Sequence, residues 1–195
     1  MTKLPGVKDR EIRSTLKDCL RLEYCFDEKM QILDEFGINY GEVRADVVAV
    51  GDVMHGYEIK SDYDSLNRLP NQIKAYNAVF DKVTIVTGAS HIYSVIEIVP
   101  EWWGILVVRA NDTGEITLHC IREAEANKNL DTHALARLLW RDEAMQILEG
   151  INAAHGVRTK PKSILCDRLT DSLEQESLRR KVVEKIHFRS ALRAG

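Results

Sequence analysis

Asp46, Glu58 and Lys60 are the residues of this 195-residue chain whose types and spacing can do chemistry. Asp46 sits in an alternating run, Val43-Arg44-Ala45-Asp46-Val47, and Glu58-Ile59-Lys60 lies in a second short run beyond Gly51-Asp52. A hairpin turn centred near Asp52 makes opposed positions sum to about 104, so Asp46 faces Glu58, Arg44 faces Lys60, and all four share one face. Val43, Ala45, Val47, Ala49, Tyr57 and Ile59 then form the opposite, core-facing side. Two carboxylates held close together repel each other and favour a hard divalent cation between them, Mg2+ or Mn2+, with water completing its shell. A lysine beside them can position or help deprotonate an attacking water and offset charge building on a phosphoryl oxygen. The same residues on a solvated hairpin face would do no more than form cross-strand ion pairs.

The elements that must position this group follow from apolar spacing. Ile12, Leu16, Cys19, Leu20 and Leu22 predict an amphipathic helix over 10–24 with Asp9 as its cap, and a second helical stretch over 27–36 stops at Gly37. Alternation from Tyr40 predicts a half-buried strand, paired through the turn with a strand over 56–60. Residues 61–80 read as helical, with Pro70 opening a fresh helix after a break. Strands are expected over 82–88 and 103–110, a helix over 91–99 and an edge strand over 115–121. From Asp131 the pattern turns helical: Leu135, Leu138, Leu139, Ala144, Ile147 and Leu148 mark one helix, and 162–171 and 174–192 two more. The expected organisation is an α/β core over 1–125 and a C-terminal helical appendage over 126–195.

Asp46 followed at the end of a hairpin by Glu58-Ile59-Lys60 resembles the signature of the PD-(D/E)XK nuclease superfamily. Gln72 and Tyr76, a Q-x-x-x-Y pair one helical turn apart, are similar to the extra motif of its RecB-type members. The strings HGYEIKSDYDSLNRLPNQIKAY and LARLLWRDEA are similar to those of small bacterial stand-alone proteins of that superfamily. The resemblance implies a restriction-endonuclease-like α/β core, a central mixed sheet flanked by helices, and hydrolysis of DNA phosphodiester bonds with Mg2+ or Mn2+. In that reading Asp46 and Glu58 bind metal, the Ile59 carbonyl adds a ligand, Lys60 assists the attacking water, and Gln72 and Tyr76 orient substrate or the lysine. An acid on the first helix completes many such sites, and Glu11 is the candidate here, with Asp18 and Glu23 as rivals. Arg44 and Arg68 are candidate phosphate contacts. Ala45 stands where the superfamily's name has proline, which removes no ligand. The competing expectation is a nuclease-fold nucleic-acid-binding or accessory protein that does not cut.

Composition sets the outer bounds. Apolar residues make up 45% and charged residues 29%, the mixture of an ordinary globular chain rather than a disordered or fibrous one. No run approaches a membrane span and the N-terminal stretch lacks a signal-type apolar segment, so a cytoplasmic protein without a membrane partner is expected. The net charge of −3 divides unevenly, with ten Lys or Arg against five Asp or Glu over 157–195, giving +5 there and −8 upstream. The basic face of 174–192 can meet DNA or simply face water. The cysteines at 19, 25, 120 and 166 form no C-x-x-C pair, which argues against a structural zinc, a disulfide framework or the iron-sulfur cluster of some RecB-type relatives. No P-loop, G-x-G-x-x-G or G-x-S-x-G motif occurs. His55 is expected in the exposed hairpin turn, Trp102 and Trp103 in packing, and 88–91 in a strand-to-helix loop. Sequence alone leaves open whether the chain forms a homo-oligomer or meets a protein partner.

Overall fold

In the computed structural model, which describes residues 6–111 and 113–194, a mixed sheet of six strands runs in the order β1-β2-β3-β4-β5-β6. The strands are β1 (Gln31–Ile38), β2 (Val43–Val50), β3 (Met54–Lys60), β4 (Lys82–Gly88), β5 (Gly104–Ala110) and β6 (Ile116–Arg122). β1, β2 and β3 form an antiparallel meander, β3, β4 and β5 are parallel, and β6 returns antiparallel at the edge. The expectation of an α/β chain with a mixed sheet between helices therefore holds.

Helix α1 (Asp9–Glu23) covers one face, burying Ile12, Leu16 and Leu20 against Val47, Ala49, Tyr57 and Ile59. The other face carries α2 (Leu69–Val79), α3 (Ile92–Ile98), α4 (Thr132–Leu138), α5 (Arg141–Gly150), α6 (Lys162–Ser172) and α7 (Gln175–Ala194). One apolar cluster joins Tyr76, Phe80, Trp103 and the sheet to Leu135, Leu148, Leu165, Leu178 and Val182, so the C-terminal helices share the core of the α/β region. A capped corner holds them: Arg189 pairs with Glu143 and its guanidinium lies over the Trp140 ring at 4.4 Å. Trp103 is buried, and its indole N–H donates to Asn77 Oδ1 at 2.8 Å.

Three expectations change. Residues 27–36 do not form a helix; 31–38 form β1, because Ile32, Leu33, Phe36 and Ile38 find sheet partners along β2 that outweigh local propensity. The stretch from 131 to 150 is two helices, α4 and α5, broken at Leu139 and Trp140, which are both extended. β2 is not half-buried on a single core side. Val43 and Ala45 pack into the cluster beneath α2, whereas Val47 and Ala49 join the one beneath α1. The phase changes at Asp46, where the ladder skips one pair and Glu35 on the neighbouring strand has a φ of 50°. A non-glycine residue in that region breaks the pleat.

Candidate functional site

The β2–β3 ladder keeps the expected register from Val50↔Met54 to Val47↔Tyr57, and the pairing stops there. Beyond that point Asp46 and Arg44 have no partner on β3, so Glu58 and Lys60 do not stand opposite them as the turn-centred register predicts, while Arg44 still pairs with Gly37 of β1. The Asp46 side chain takes over the role of the missing strand: its Oδ2 accepts the Ile59 backbone N–H at 2.7 Å. β3 meanwhile stays paired with β4 through Glu58↔Ile85, Ile59↔Val86 and Lys60↔Thr87. The opened hairpin end therefore stands beside the carboxyl ends of parallel strands, a place where α/β sheets commonly hold ligands.

Glu58 and Lys60 lie at the bottom of a cleft of about 940 Å³ and are only 1% and 4% exposed, so they do not form a solvated strand face. A buried carboxylate needs donors, and Glu58 has three. Its Oε1 accepts from Lys60 Nζ and, at 2.6 Å, from Gln72 Nε2, while its Oε2 accepts from the Tyr76 hydroxyl. The one-turn spacing of Gln72 and Tyr76 on α2 aims both at Glu58, not at the lysine that the resemblance offered as one of their partners. Burial raises the Glu58 carboxyl above its ordinary range, and the Asp46 charge pushes the same way, against the opposing effect of Lys60. Burial likewise raises Asp46, which is opposed by the Ile59 N–H and by Arg13. The Tyr76 hydroxyl, buried against Glu58, is held firmly protonated.

Arg13 is the site residue that sequence reasoning missed. From α1 it donates to Asp46 Oδ1 at 2.9 Å and to the Asp46 carbonyl at 2.6 Å, and it pairs with Glu35 at 3.1 Å and Asp9 at 3.5 Å. It lies 33 positions from Asp46, so no local spacing announces it. Glu11 does not enter the cleft wall; it is exposed and its carboxylate accepts the Lys8 backbone N–H, capping α1. Asp18 pairs with Arg21 at the surface, and the first-helix acid that lines the cleft is Asp9. Arg44 and Arg68 both line the cleft and are exposed. His55 is not in an exposed turn: it belongs to β3, stacks on Tyr57 at 4.2 Å and bonds to Thr84 Oγ1 and the Tyr57 hydroxyl.

Asp46, Glu58 and the Ile59 carbonyl are hard oxygen donors of the kind that suit Mg2+ or Mn2+, which commonly take one or two protein carboxylates and fill the shell with water and substrate oxygens. Gln72 Oε1 is buried without a hydrogen-bond partner, which leaves an acceptor free at the same place. Among the described residues no group of three or more His, Cys, Asp or Glu gathers as a ready-made cage. The donor set thus fits an open two-carboxylate site rather than a closed structural one.

A family model described as bacteriophage P4 protein cII matches residues 6–191. The chain belongs to the bacteriophage P4 protein cII family. Protein cII of Enterobacteria phage P4 itself is 24% identical over 161 residues, covering 82% of this chain and 61% of the phage protein. The chain thus spans about 61% of the length of that curated relative. No solved structure gives a significant match. The family region takes in Arg13, the opened hairpin, α2 and the C-terminal helices together. No helix among the described residues is long and apolar enough to cross a membrane.

Proposed function

We propose that this member of the P4 cII family is a PD-(D/E)XK-type nuclease, with a restriction-endonuclease-like core, that hydrolyses DNA phosphodiester bonds. The observation that carries the reading is the closure of Gln72, Tyr76 and Lys60 onto the Glu58 carboxylate at the bottom of a cleft, with Asp46 near enough to raise its pKa. Residues from two strands and a helix meet there, which supports the reading.

A Mg2+ or Mn2+ ion held by Asp46, Glu58 and the Ile59 carbonyl would supply Lewis-acid activation of the attacking water and of the scissile phosphate. Lys60, fixed by Glu58, is placed to orient that water and to offset charge on the phosphoryl oxygens. Gln72 and Tyr76 hold Glu58 in one rotamer, and Gln72 keeps its free carbonyl for a donor on water or substrate. Arg13 holds Asp46 against the charge of Glu58 and has Asp9 and Glu35 as alternative partners.

The test is cleavage of labelled single-stranded, duplex and flapped DNA with Mg2+, Mn2+ or EDTA, beside Glu58→Gln and Lys60→Ala. Metal-dependent cutting that falls at least ~100-fold in both variants is expected. Full activity in Lys60→Ala, or no cutting and no metal binding by any protein, would remove the nuclease reading. The second reading, a nuclease-fold protein that binds without cutting, is favoured by one observation: every oxygen of Asp46 and Glu58 already has a protein donor.

A further inference from the structure

The cleft over Glu58 has a second wall that the motif does not include. α4 touches α2 and the 3-10 turn Asn39–Gly41, so the C-terminal helices close one side of the cleft. Asp131, Ala134 and Arg137, three apart along α4, face it, as do Arg68, Asn71 and Lys74 along α2. With Arg44 at the opened hairpin end, this places four exposed cations, Arg44, Arg68, Lys74 and Arg137, around one opening.

Their partners, or the lack of them, decide what they are for. Among the described residues no ion pair or side-chain hydrogen bond engages any of these four head groups; Arg10, Lys29 and Lys128 are also exposed without one, but these four ring a single cleft, whereas Arg13, Arg21, Arg158, Arg179, Arg180 and Arg189 are paired with acids. The acids of the same cleft are committed. Asp46, Glu35 and Asp9 share Arg13, Glu58 holds Lys60, Asp64 accepts the Ser61 N–H and hydroxyl, Asp131 caps α4 and Glu42 takes Asn39. Those carboxylates keep their charge but are turned to donors inside the protein, whereas the four cations stand free around the opening, where successive phosphates of a strand can meet them.

We propose that Arg44, Arg68, Lys74 and Arg137 form a track for a single DNA strand, and that α4 makes the C-terminal region half of the substrate groove. The choice of DNA as ligand rests on the nuclease reading above. The choice of an unpaired strand rests on depth and closure: Glu58 and Lys60 are almost fully buried, one flank is walled by α4, and about 940 Å³ takes a few nucleotides. A duplex would ride on the rim, whereas a lone strand can lower a phosphate to the floor.

The test is fluorescence anisotropy of a labelled oligo-dT strand, a duplex of equal length and an oligo-U strand, in EDTA and across a salt series, with the full chain. The unpaired DNA strand is expected to bind at least tenfold more tightly than the duplex. Arg137→Ala and Lys74→Ala should each flatten the dependence of log K on log salt by ~0.7, and the pair together by ~1.4. Arg137→Lys should restore the slope, and Arg180→Ala, whose side chain pairs with Glu176 on α7, should leave it unchanged. All three positions tested are exposed, so circular dichroism and melting should match the parent. Unaltered slopes in Arg137→Ala and Lys74→Ala would overturn the track, as would tighter binding of the duplex or of the RNA strand. Because no cutting occurs in EDTA, the two ideas fail separately. Arg137-dependent binding without any Mg2+-dependent cleavage sinks only the nuclease, and cleavage with unaltered slopes sinks only the track.

Discussion

A carboxylate taken out of water is tolerated only when donors replace the water, and Glu58 and Asp46 meet that demand in different ways. Glu58 is served by side chains from its own strand and from α2, Asp46 by a backbone N–H and by Arg13 from the opposite layer. His55 meets it by staying neutral. Burial, with the Lys82 charge adding to it, lowers its pKa from 6.5 to about 3, and its two ring nitrogens are taken by Thr84 and Tyr57. The unfolded chain gains a proton at His55 below pH 6.5 that the folded chain refuses, so this group makes stability fall as pH drops from 6.5 toward 3, by up to ~1.4 kcal/mol per pH unit. His55→Gln removes that contribution. Urea unfolding at pH 7 and pH 4.5 should show the parent losing ~1–3 kcal/mol more than the variant over that interval. Parallel losses would mean that His55 protonates in the folded protein.

At the scale of elements, the site depends on how closely α2 lies on β3. Gly56 makes that approach possible, since a Cβ there would stand 2.5 Å from the Phe80 ring. Phe80 in turn meets the Tyr76 ring edge-on at 5.2 Å, and Tyr76 holds Glu58. Gly56→Ala should therefore cost ~1–3 kcal/mol in urea unfolding. The double variant with Phe80→Leu should cost less than the sum of the two single changes, because the smaller side chain yields the space; strict additivity would place the strain elsewhere. The same packing explains what the sequence could reveal. The hairpin register as far as Val47↔Tyr57, Pro70 at the start of α2 and the one-turn spacing of Gln72 and Tyr76 are short-range patterns and are where the spacing puts them, whereas the expected Asp46–Glu58 and Arg44–Lys60 pairs do not form because the ladder ends before them. β1 was misread as helix because its identity comes from β2, and Arg13 was missed because its partner lies in another layer. Glu11 carried the right charge on the right helix, but its carboxylate serves the helix's own N-terminus.

For the whole molecule, the C-terminal helices determine whether the α/β region can stand alone. Leu135, Leu139, Leu148, Leu165, Leu178 and Val182 are fully buried in one cluster with Tyr76, Phe80 and Trp103. Polar contacts cross the same boundary: Asn127 Nδ2 donates to the Asn77 and Phe80 carbonyls, and Arg179 pairs with Asp81 at 3.1 Å while donating to the Asp52 carbonyl. Each large aliphatic side chain buried on folding contributes ~1.5–3 kcal/mol. Six of them together rival the ~5–15 kcal/mol that a typical domain has in total. A chain ending at residue 125 would also turn the outer side of α2, including the helix that carries Gln72 and Tyr76, toward water. Such a truncation should show no cooperative unfolding transition, while the full chain should melt in a single step with circular dichroism and tryptophan fluorescence superimposed. If the truncated chain instead melts cooperatively, the apolar cluster is divisible and the two regions are separate folding units. A single step would mean that α4, which bears Arg137, unfolds together with the strand and helix that hold Glu58, so the two sides of the cleft are one folding unit.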